Sequence, residues 1–182
     1  MQPGDAPLLR GAKVFLKPLT RRDAVRLGLE PAVAEALLAE AAQGRALLWQ
    51  LAENLRLPAF GWVGLREIDP RHARANLDGF ILPAQRRQGW MHDAMARIID
   101  YGFRDFGLNR IGARIDPGND AALGLAQVLG LAWEGRLRGY RRGPDGARDV
   151  ILLGRLASDA MATAESAGRQ AIGGAESPVE GG

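Results

Sequence analysis

The stretch "PAQRRQGWMHDAM", residues Pro83 to Met95, joins the end of an apolar strand to the start of an amphipathic helix. Apolar residues over 73–83 predict the strand, and apolar residues at helical spacing over 91–106 predict a helix with one face turned to the core. A strand that runs directly into a helix places unpaired backbone N–H groups and the positive end of the helix dipole beside the sheet. This arrangement suits a bound phosphate group.

Three residues of this loop bear on that interpretation. Gly89 lets the backbone approach a ligand closely, and Arg86 and Arg87 can neutralise the charge of a phosphate. The glycine spacing excludes both the G-x-G-x-x-G dinucleotide loop and the G-x-x-x-x-G-K-[ST] nucleotide loop. From the residues alone, a phosphate cradle and a charged turn that binds nothing both remain open.

The rest of the chain gives the order strand, two helices, three strands, helix, strand, helix, two strands. The predicted elements are a strand at 12–19, a short helix capped by Thr20 and Asp23, a helix from Pro31 to Ala42, strands at 45–53, 58–69 and 73–83, a helix at 91–106, a strand at 108–116, a helix between Asn119 and Gly130, and two strands around the turn 143–146. Because strand–helix–strand crossovers join parallel strands, 73–82 and 110–116 should pair in parallel within an otherwise antiparallel sheet. The predicted fold class is mixed α/β (α+β).

Length and composition bound the organisation of the chain. With 182 residues and 47% hydrophobic content, one core is expected, and we place a single domain at 11–156. The flanking segments 1–10 and 157–182 offer little to bury and predict disorder. No apolar run could span a bilayer and no leader pattern is present, so we expect a soluble, cytoplasmic protein without a membrane partner.

Arginine dominates the basic residues. Of the 24 Lys and Arg residues only Lys13 and Lys17 are lysines, and the formal net charge is +3. Arginine contacts phosphate and carboxylate well, so an anionic ligand and plain surface solvation both remain open. The chain lacks the aromatic and basic array of a nucleic-acid binder, and we expect no nucleic-acid partner. With no cysteine and two histidines, neither thiol chemistry nor a metal site is expected.

Several stretches together resemble one family. "VFLKPLTRRDA" (14–24), "GWVGLREID" (61–69), "LNRIGARIDPGNDAA" (108–122) and "LGLAWEGRLRGY" (129–140) occur in this order around the arginine loop. The chain is similar to the GNAT superfamily of acyl-CoA N-acyltransferases, specifically its RimJ/RimL-like branch, from about Lys13 to Leu156. The resemblance implies a mostly antiparallel sheet with a splayed central parallel strand pair, helices on both faces, and acetyl-CoA as co-substrate.

The resemblance also implies a set of cofactor-binding residues. The loop would hold the CoA pyrophosphate on its backbone amides, the end of the preceding strand would offer backbone groups to the pantetheine arm, and an asparagine would lie near that arm. These positions are Ile81, Leu82, Arg86, Arg87, Gln88, Gly89, Trp90, Met91, His92 and Asn119. Met91 departs from the glycine or alanine of the family loop. We interpret it as a core contact, because it shares the apolar face of its helix with Met95 and Ile98.

The family's usual proton-transfer residues are replaced. Asn76 stands where this branch carries glutamate, and Ala122 and Ala126 stand where members carry serine or tyrosine. Of the candidates left, Asp78 is predicted as the base, because an acid in an apolar strand is costly unless it is hydrated or paired. A structural ion pair with an arginine is its alternative. Tyr140 matches a recurring tyrosine and is predicted to line the acceptor side, or else to serve packing.

Two functions are consistent with this reading. The first is direct transfer of an acetyl group from acetyl-CoA to a primary amine, such as a protein or peptide N-terminus or a small amine. The second is a catalytically degenerate module that binds acyl-CoA or protein partners without turnover. We expect an open acceptor side, suited to a peptide N-terminus or to completion by a second subunit in a homodimer.

Overall fold

The computed structural model describes residues 6–144 and 146–159. Eight strands and four α-helices make up this part of the chain, with a 3-10 turn at Pro83–Gln85. The strands are β1 (Leu9–Arg10), β2 (Phe15–Pro18), β3 (Leu47–Ala52), β4 (Gly61–Asp69), β5 (Arg74–Ile81), β6 (Arg110–Ile115), β7 (Ala132–Gly143) and β8 (Gly146–Leu156). The helices are α1 (Arg21–Arg26), α2 (Pro31–Ala42), α3 (Trp90–Arg104) and α4 (Asp120–Val128).

All eight strands form one sheet in the order β1-β2-β3-β4-β5-β6-β8-β7. Every neighbouring pair is antiparallel except β5 and β6, which confirms the predicted parallel crossover. The pairing of β5 with β6 covers only Arg74 to Asn76 against Arg110 to Gly112, whereas β5 continues to Ile81 and β6 to Ile115. The two strands therefore separate after Asn76 and Gly112, as the resemblance implies.

Two apolar cores cover the two faces of the sheet. On one face the buried side chains of α3 and α4, among them Ile98 and Ala126, pack on Trp49 and Leu65. On the other face α1 and α2 pack their apolar residues on Leu48 and its neighbours. Alternate strand residues reach opposite cores, as the pleat requires. The prediction of helices on both faces is confirmed. None of the helices in the described ranges is both long and apolar enough to cross a bilayer.

Local signals in the sequence set the helix ends. Thr20 and Asp23 form a complete capping box at the start of α1. Pro31 occupies the first turn of α2, where its missing N–H costs nothing. Asn119 accepts a hydrogen bond from the N–H of Ala122 at 3.1 Å and caps α4. Each of these boundaries agrees with its prediction.

The N-terminal segment differs from its prediction. Leu9 and Arg10 form β1 against β2, and both Ala6 and Leu9 are buried in the core. The indole N–H of Trp49 donates to the carbonyl of Pro7 at 2.7 Å, which fixes the segment on the sheet. The expectation that 1–10 is disordered is therefore wrong for residues 6–10, while 1–5 lie outside the described residues.

The C-terminal end is described only in part. Residues 157–159 begin a helical turn after β8, and the N–H of Leu156 donates to Asp159 at 2.8 Å. The remainder of the predicted tail, 160–182, lies outside the described residues, as does Asp145 in the turn between β7 and β8.

Candidate functional site

A cleft of about 240 Å³ opens where β5 and β6 separate, on the face covered by α3 and α4. We call it the splay cleft. Its walls come from the divergent parts of both strands, from Met95 of α3 and from α4. The lining residues are Leu77, Asp78, Gly79, Met95, Ala113, Arg114, Ile115, Asp116, Asn119, Ala122, Leu125, Ala126, Leu129 and Arg141.

The free edge of β5 offers backbone groups toward the side that β6 leaves open. Gly61 and Ile81 face each other across β4 and β5, and the N–H of Leu82 donates to the carbonyl of Phe60 at 2.9 Å. This pattern makes Gly61 and Ile81 a non-hydrogen-bonded pair, so the N–H and C=O of Ile81 point away from β4. At Leu82, by contrast, the N–H donates to the carbonyl of Phe60 and the carbonyl accepts from the N–H of Gln85.

The arginine loop continues β5 and ends at α3. Gly89 caps α3 in the left-handed region with φ 82°, a conformation that glycine adopts without strain. Arg87 also has a positive φ, of 62°. The guanidinium groups of Arg86 and Arg87 form no ion pair within residues 6–144 and 146–159. Two cations therefore border a helix N-terminus.

The first residues of α3 divide between core and surface. Met91 packs against the core beneath α3, as predicted, and so does Trp90. The Trp90 ring lies 5.4 Å from the ring of Phe60, and its indole N–H donates to Gln88 at 3.1 Å. His92 is exposed. Met91 is partly buried, so part of its bulk is taken up by its contact with the core.

A third cation reaches the loop from a distant part of the chain. The carboxylate of Asp93, in the first turn of α3, accepts hydrogen bonds from the backbone N–H groups of Ala12, Lys13 and Val14 at 2.7–3.0 Å. The Lys13 ammonium lies 3.5 Å from the place a Cβ would take on Gly89. The sequence analysis missed Lys13, since no local pattern connects residues this far apart in the chain.

Asn119 caps α4, as predicted, and also lines the splay cleft. Ala122 and Ala126 line the same wall. The lining contains no serine, threonine or tyrosine. Its charged groups are Asp78, Asp116, Arg114 and Arg141, of which Arg141 donates to Asp116 at 2.8 Å.

A second depression of about 700 Å³ lies on the opposite face of the sheet, beside α2. For the role proposed below, we call it the acceptor groove. It is lined by Glu40, Arg45, Glu67, Ile68, Asp69, Pro70, Arg71, Arg74, Ala75, Asn76, Arg110, Ala113, Arg114, Leu137, Tyr140, Leu152 and Leu153. Ala113 and Arg114 border the groove and the splay cleft alike. The two depressions therefore approach each other where β5 and β6 part.

Asp78 lies on β5 at this junction and is engaged in an ion pair. One nitrogen of the Arg66 guanidinium donates to Asp78. The other two nitrogens donate to the two carboxylate oxygens of Glu40, each at 2.9 Å. Glu40 and Asp78 together raise the pKa of Arg66 above its usual range, the hydrogen bonds to Glu40 contributing most. Asp78 also accepts from the N–H of Gly79 at 2.8 Å. Its side chain remains 43% exposed, so water reaches the carboxylate.

Glu67 forms a second carboxylate centre that the sequence analysis did not single out. It sits at an irregularity in the pairing of β4 with β5 and has a φ of 51°, unusual for a residue with a side chain. Its carboxylate accepts from both terminal nitrogens of Arg114 and, at 2.9 Å, from Asn76. The hydrogen bonds from Arg114 hold the pKa of Glu67 below its usual range, against the opposing effect of burial.

Tyr140 lies on β7 above the same arginine. The Arg114 guanidinium is 5.8 Å from the centre of the Tyr140 ring, within range of a cation–π contact. The tyrosine side chain is exposed and borders the acceptor groove.

Comparison with known proteins decides the family. The profile of the acetyltransferase (GNAT) domain matches residues 6–132. The chain belongs to the GNAT acetyltransferase family.

Two curated GNAT relatives cover part of the chain. An uncharacterized N-acetyltransferase, YoaA of Bacillus subtilis strain 168, is 30% identical over 96 residues, or 53% of this chain and 54% of that protein. An uncharacterized N-acetyltransferase, p20 of Bacillus licheniformis, is 31% identical over 96 residues with the same coverage. The chain spans about half the length of the curated relatives it matches.

Solved GNAT structures are similar over most of the chain. RimJ of Mycobacterium smegmatis, in complex with CoA-disulfide, superposes with a TM-score of 0.71 at 23% identity, covering 86% of this chain and 89% of that one. Spermidine/spermine N-acetyltransferase SpeG of Vibrio cholerae gives a TM-score of 0.72 at 20% identity, covering 84% and 97%. At these identities the similarity establishes the fold.

Proposed function

We propose that this protein is an acetyl-CoA-dependent N-acetyltransferase that transfers an acetyl group directly to a primary amine. The observation that carries the proposal is the meeting of two depressions at one point of the sheet. The splay cleft and the acceptor groove lie on opposite faces and share Ala113 and Arg114. A thioester brought along the cleft can therefore be presented to an amine that arrives from the groove.

The cofactor would lie along the free edge of β5. Backbone N–H groups at the N-terminus of α3, beginning at Gly89, suit the pyrophosphate, and Arg86, Arg87 and Lys13 supply positive charge around it. The backbone groups of Ile81 and the side chain of Asn119 suit the amides of the pantetheine arm. The packing of Met91 against the core is compatible with this placement.

The acceptor amine can attack only after its ammonium form has lost one proton. The amine nitrogen attacks the thioester carbonyl carbon, the carbon–nitrogen bond forms, the carbon–sulfur bond breaks, and one proton leaves nitrogen while the departing sulfur gains one. We assign Asp78, reached through water, as the group that accepts the proton. Arg114 and Arg141 line the cleft and would stabilise negative charge on the sulfur before it is protonated. Tyr140 would line the path of the acceptor.

One observation favours a second candidate function, an acyl-CoA-binding module without turnover. The splay cleft has alanines at 122 and 126, and its lining contains no hydroxyl group that could protonate the leaving sulfur. Asn76 occupies the position of the branch's glutamate and holds Glu67. Placement of two reactants in one geometry contributes much of the rate in transfer reactions, so the loss of these groups lowers activity without abolishing it.

Calorimetric titration with acetyl-CoA and with CoA tests the binding half of the proposal. We expect saturable binding of both, weakened by the double change Arg86→Ala and Arg87→Ala, most strongly at low ionic strength. The matched control is Arg21→Ala with Arg22→Ala, an adjacent arginine pair in α1 on the other face of the sheet. Absence of binding at millimolar cofactor would refute the proposal. Binding without release of free thiol in the presence of any amine would favour the module.

The expected homodimer and cytoplasmic location remain predictions from the sequence. Sedimentation of the full chain with and without CoA would test the first, and localisation of a tagged chain would test the second.

A further inference from the structure

The acceptor groove is rich in arginine. Five arginines and three carboxylates line it: Arg45, Arg71, Arg74, Arg110 and Arg114 against Glu40, Glu67 and Asp69. In the proposed transfer the amine enters through this groove, so the pairing of these charged groups affects which amines bind there.

Each of the three lining carboxylates is already bound by an arginine. Glu40 accepts from Arg66 at 2.9 Å, and Glu67 accepts from both terminal nitrogens of Arg114. Asp69 pairs with Arg74 at 3.2 Å. A polyamine, which carries several ammonium groups, would have to compete with a guanidinium for each of them.

Two of the arginines have no such partner. The Nε of Arg45 donates to the neutral amide of Gln43 at 3.0 Å, and neither Arg45 nor Arg71 has a carboxylate within ion-pair distance in the described part of the chain. Both side chains are exposed at the groove. Arg45 lies just before β3, and Arg71 lies in the turn between β4 and β5. The two arginines therefore reach the groove from different segments of the chain. A guanidinium offers a planar set of donors that matches a carboxylate.

We propose that the acceptor is an amine that carries carboxylates close to its amino group, bound through Arg45 and Arg71, and that polyamines are disfavoured. This inference rests on the proposed acetyl transfer and names its substrate class. Two sources share this chemistry: the N-terminus of a peptide with acidic residues at its second to fourth positions, and a free acidic amino acid. Arg71, Arg74 and Tyr140 at the border of the groove are exposed, so a peptide bound there would extend into solvent.

The test compares acceptors of equal length that differ only in charge. Three peptides share one sequence except for positions two to four, which are Glu, Gln or Lys, and free glutamate and spermidine complete the set. We expect kcat/KM to fall in the order Glu, Gln, Lys, with the Glu peptide about tenfold or more above the Lys peptide at low salt and the gap narrowing at high salt. Activity on glutamate as high as on the Glu peptide would identify a free amino acid as the acceptor. A preference for the Glu peptide over glutamate would identify a peptide N-terminus as the acceptor.

Variants connect the preference to the two arginines. Arg45→Gln and Arg71→Gln should each reduce the ratio of kcat/KM for the Glu peptide over the Gln peptide by about threefold or more, as expected for loss of one charge contact. Arg104→Gln, which removes an exposed arginine of α3 on the opposite face, should leave that ratio unchanged. Equal kcat/KM for all three peptides, or a preference for spermidine, would overturn the inference.

A binding measurement separates this inference from the proposed function. Calorimetry of the Glu and Lys peptides against the CoA-saturated protein reports the charge preference without turnover. Selective binding of the Glu peptide with no acetylated product would support the acidic acceptor and refute the transferase. Acetylation of the Lys peptide or of spermidine in preference to the Glu peptide would support the transferase and refute the acidic acceptor.

Discussion

The carboxylate of Asp93 holds the backbone of Lys13, with the Lys13 N–H at 2.7 Å from one carboxylate oxygen, and so places a lysine beside the N-terminus of α3. An acid in the first turn of a helix is favourable by itself, but next to a bound phosphate it would be repulsive. Three backbone N–H groups compensate the charge of Asp93, and the ammonium of Lys13 lies near Gly89. Lys13 thus adds a positive charge beside the loop that the sequence of the loop does not contain.

Lys13→Met should weaken CoA binding without destabilising the protein. One exposed charge pair contributes about 1 kcal/mol, so we expect about fivefold weaker binding at low salt and a smaller effect at high salt. Calorimetry measures the change, with Lys17→Met as the control, since Lys17 lies on β2 and donates to the carbonyl of Leu55. Equal effects of the two substitutions would show that Lys13 does not contact the phosphates.

Asp93→Asn should lower CoA affinity indirectly. The amide retains one acceptor oxygen where the carboxylate has two, so the segment 12–14 is held less firmly and Lys13 is less well placed. We expect the Asn variant to lose both thermal stability and affinity, while the double change with Lys13→Met binds no more weakly than Lys13→Met alone. Additive losses of affinity would contradict the positioning role.

Gly89→Ala should impair the loop through its backbone. The residue has φ 82°, and a side chain in this region costs about 1–2 kcal/mol. Gly107→Ala provides a matched control, because Gly107 has φ 81° with nothing within 4 Å of an added Cβ and follows the far end of α3. Both variants should unfold at lower denaturant concentration, but only Gly89→Ala should reduce CoA affinity. A loss of affinity in both would indicate a general effect of stability.

Ala122→Ser should increase turnover. The added hydroxyl would line the splay cleft at the position where the branch carries serine, and it could donate a proton to the leaving sulfur. We expect a higher kcat with little change in KM for acetyl-CoA, measured by release of free thiol. Ala121→Ser, on the exposed neighbouring position of α4, should have no effect. If kcat stays constant in both variants, proton delivery to sulfur does not limit the rate.

The Glu67 centre predicts a pH dependence of stability. Its pKa is lowered in the folded protein by Arg114, so its contribution is complete above the ordinary glutamate value of about 4.3 and disappears as the pH falls through the folded-state pKa. Glu67→Gln should therefore reduce the melting temperature at neutral pH, and the difference from the parent should shrink in acid. Thermal unfolding between pH 7 and about pH 3 measures this. A pH-independent difference would contradict the assignment, and Glu53→Gln in an exposed turn serves as control.

Much of the fold follows from short-range signals. The bounds of α2 follow from Pro31 and the alanine-rich run, and the parallel pairing of β5 with β6 follows from a general rule on crossovers. The inward face of Met91 follows from its helical spacing with Met95. The helix features depend on residues within one or two turns of each other, and the strand pairing depends on the order of the elements along the chain, so the sequence contains the cause of both.

The features that the sequence analysis missed depend on long-range contacts. β1 is two residues long, and what holds it is the burial of Leu9 and a hydrogen bond from Trp49. The hydrogen bond between Lys13 and Asp93 spans 80 positions, and the ion pair of Arg114 with Glu67 spans 47. The ion pair of Asp78 with Arg66 depends on which of the many arginines the fold brings beside Asp78. No local pattern specifies such partners.

Incubation of the protein with acetyl-CoA and the Glu peptide, with both products quantified, tests the central claim most directly. The account predicts N-acetylated peptide and free CoA in equal amounts, formed only when protein and both substrates are present, with product formation decreased by Arg86→Ala combined with Arg87→Ala. Calorimetric binding of CoA with no acetylated product from this peptide or from any amine in a broad panel would contradict it.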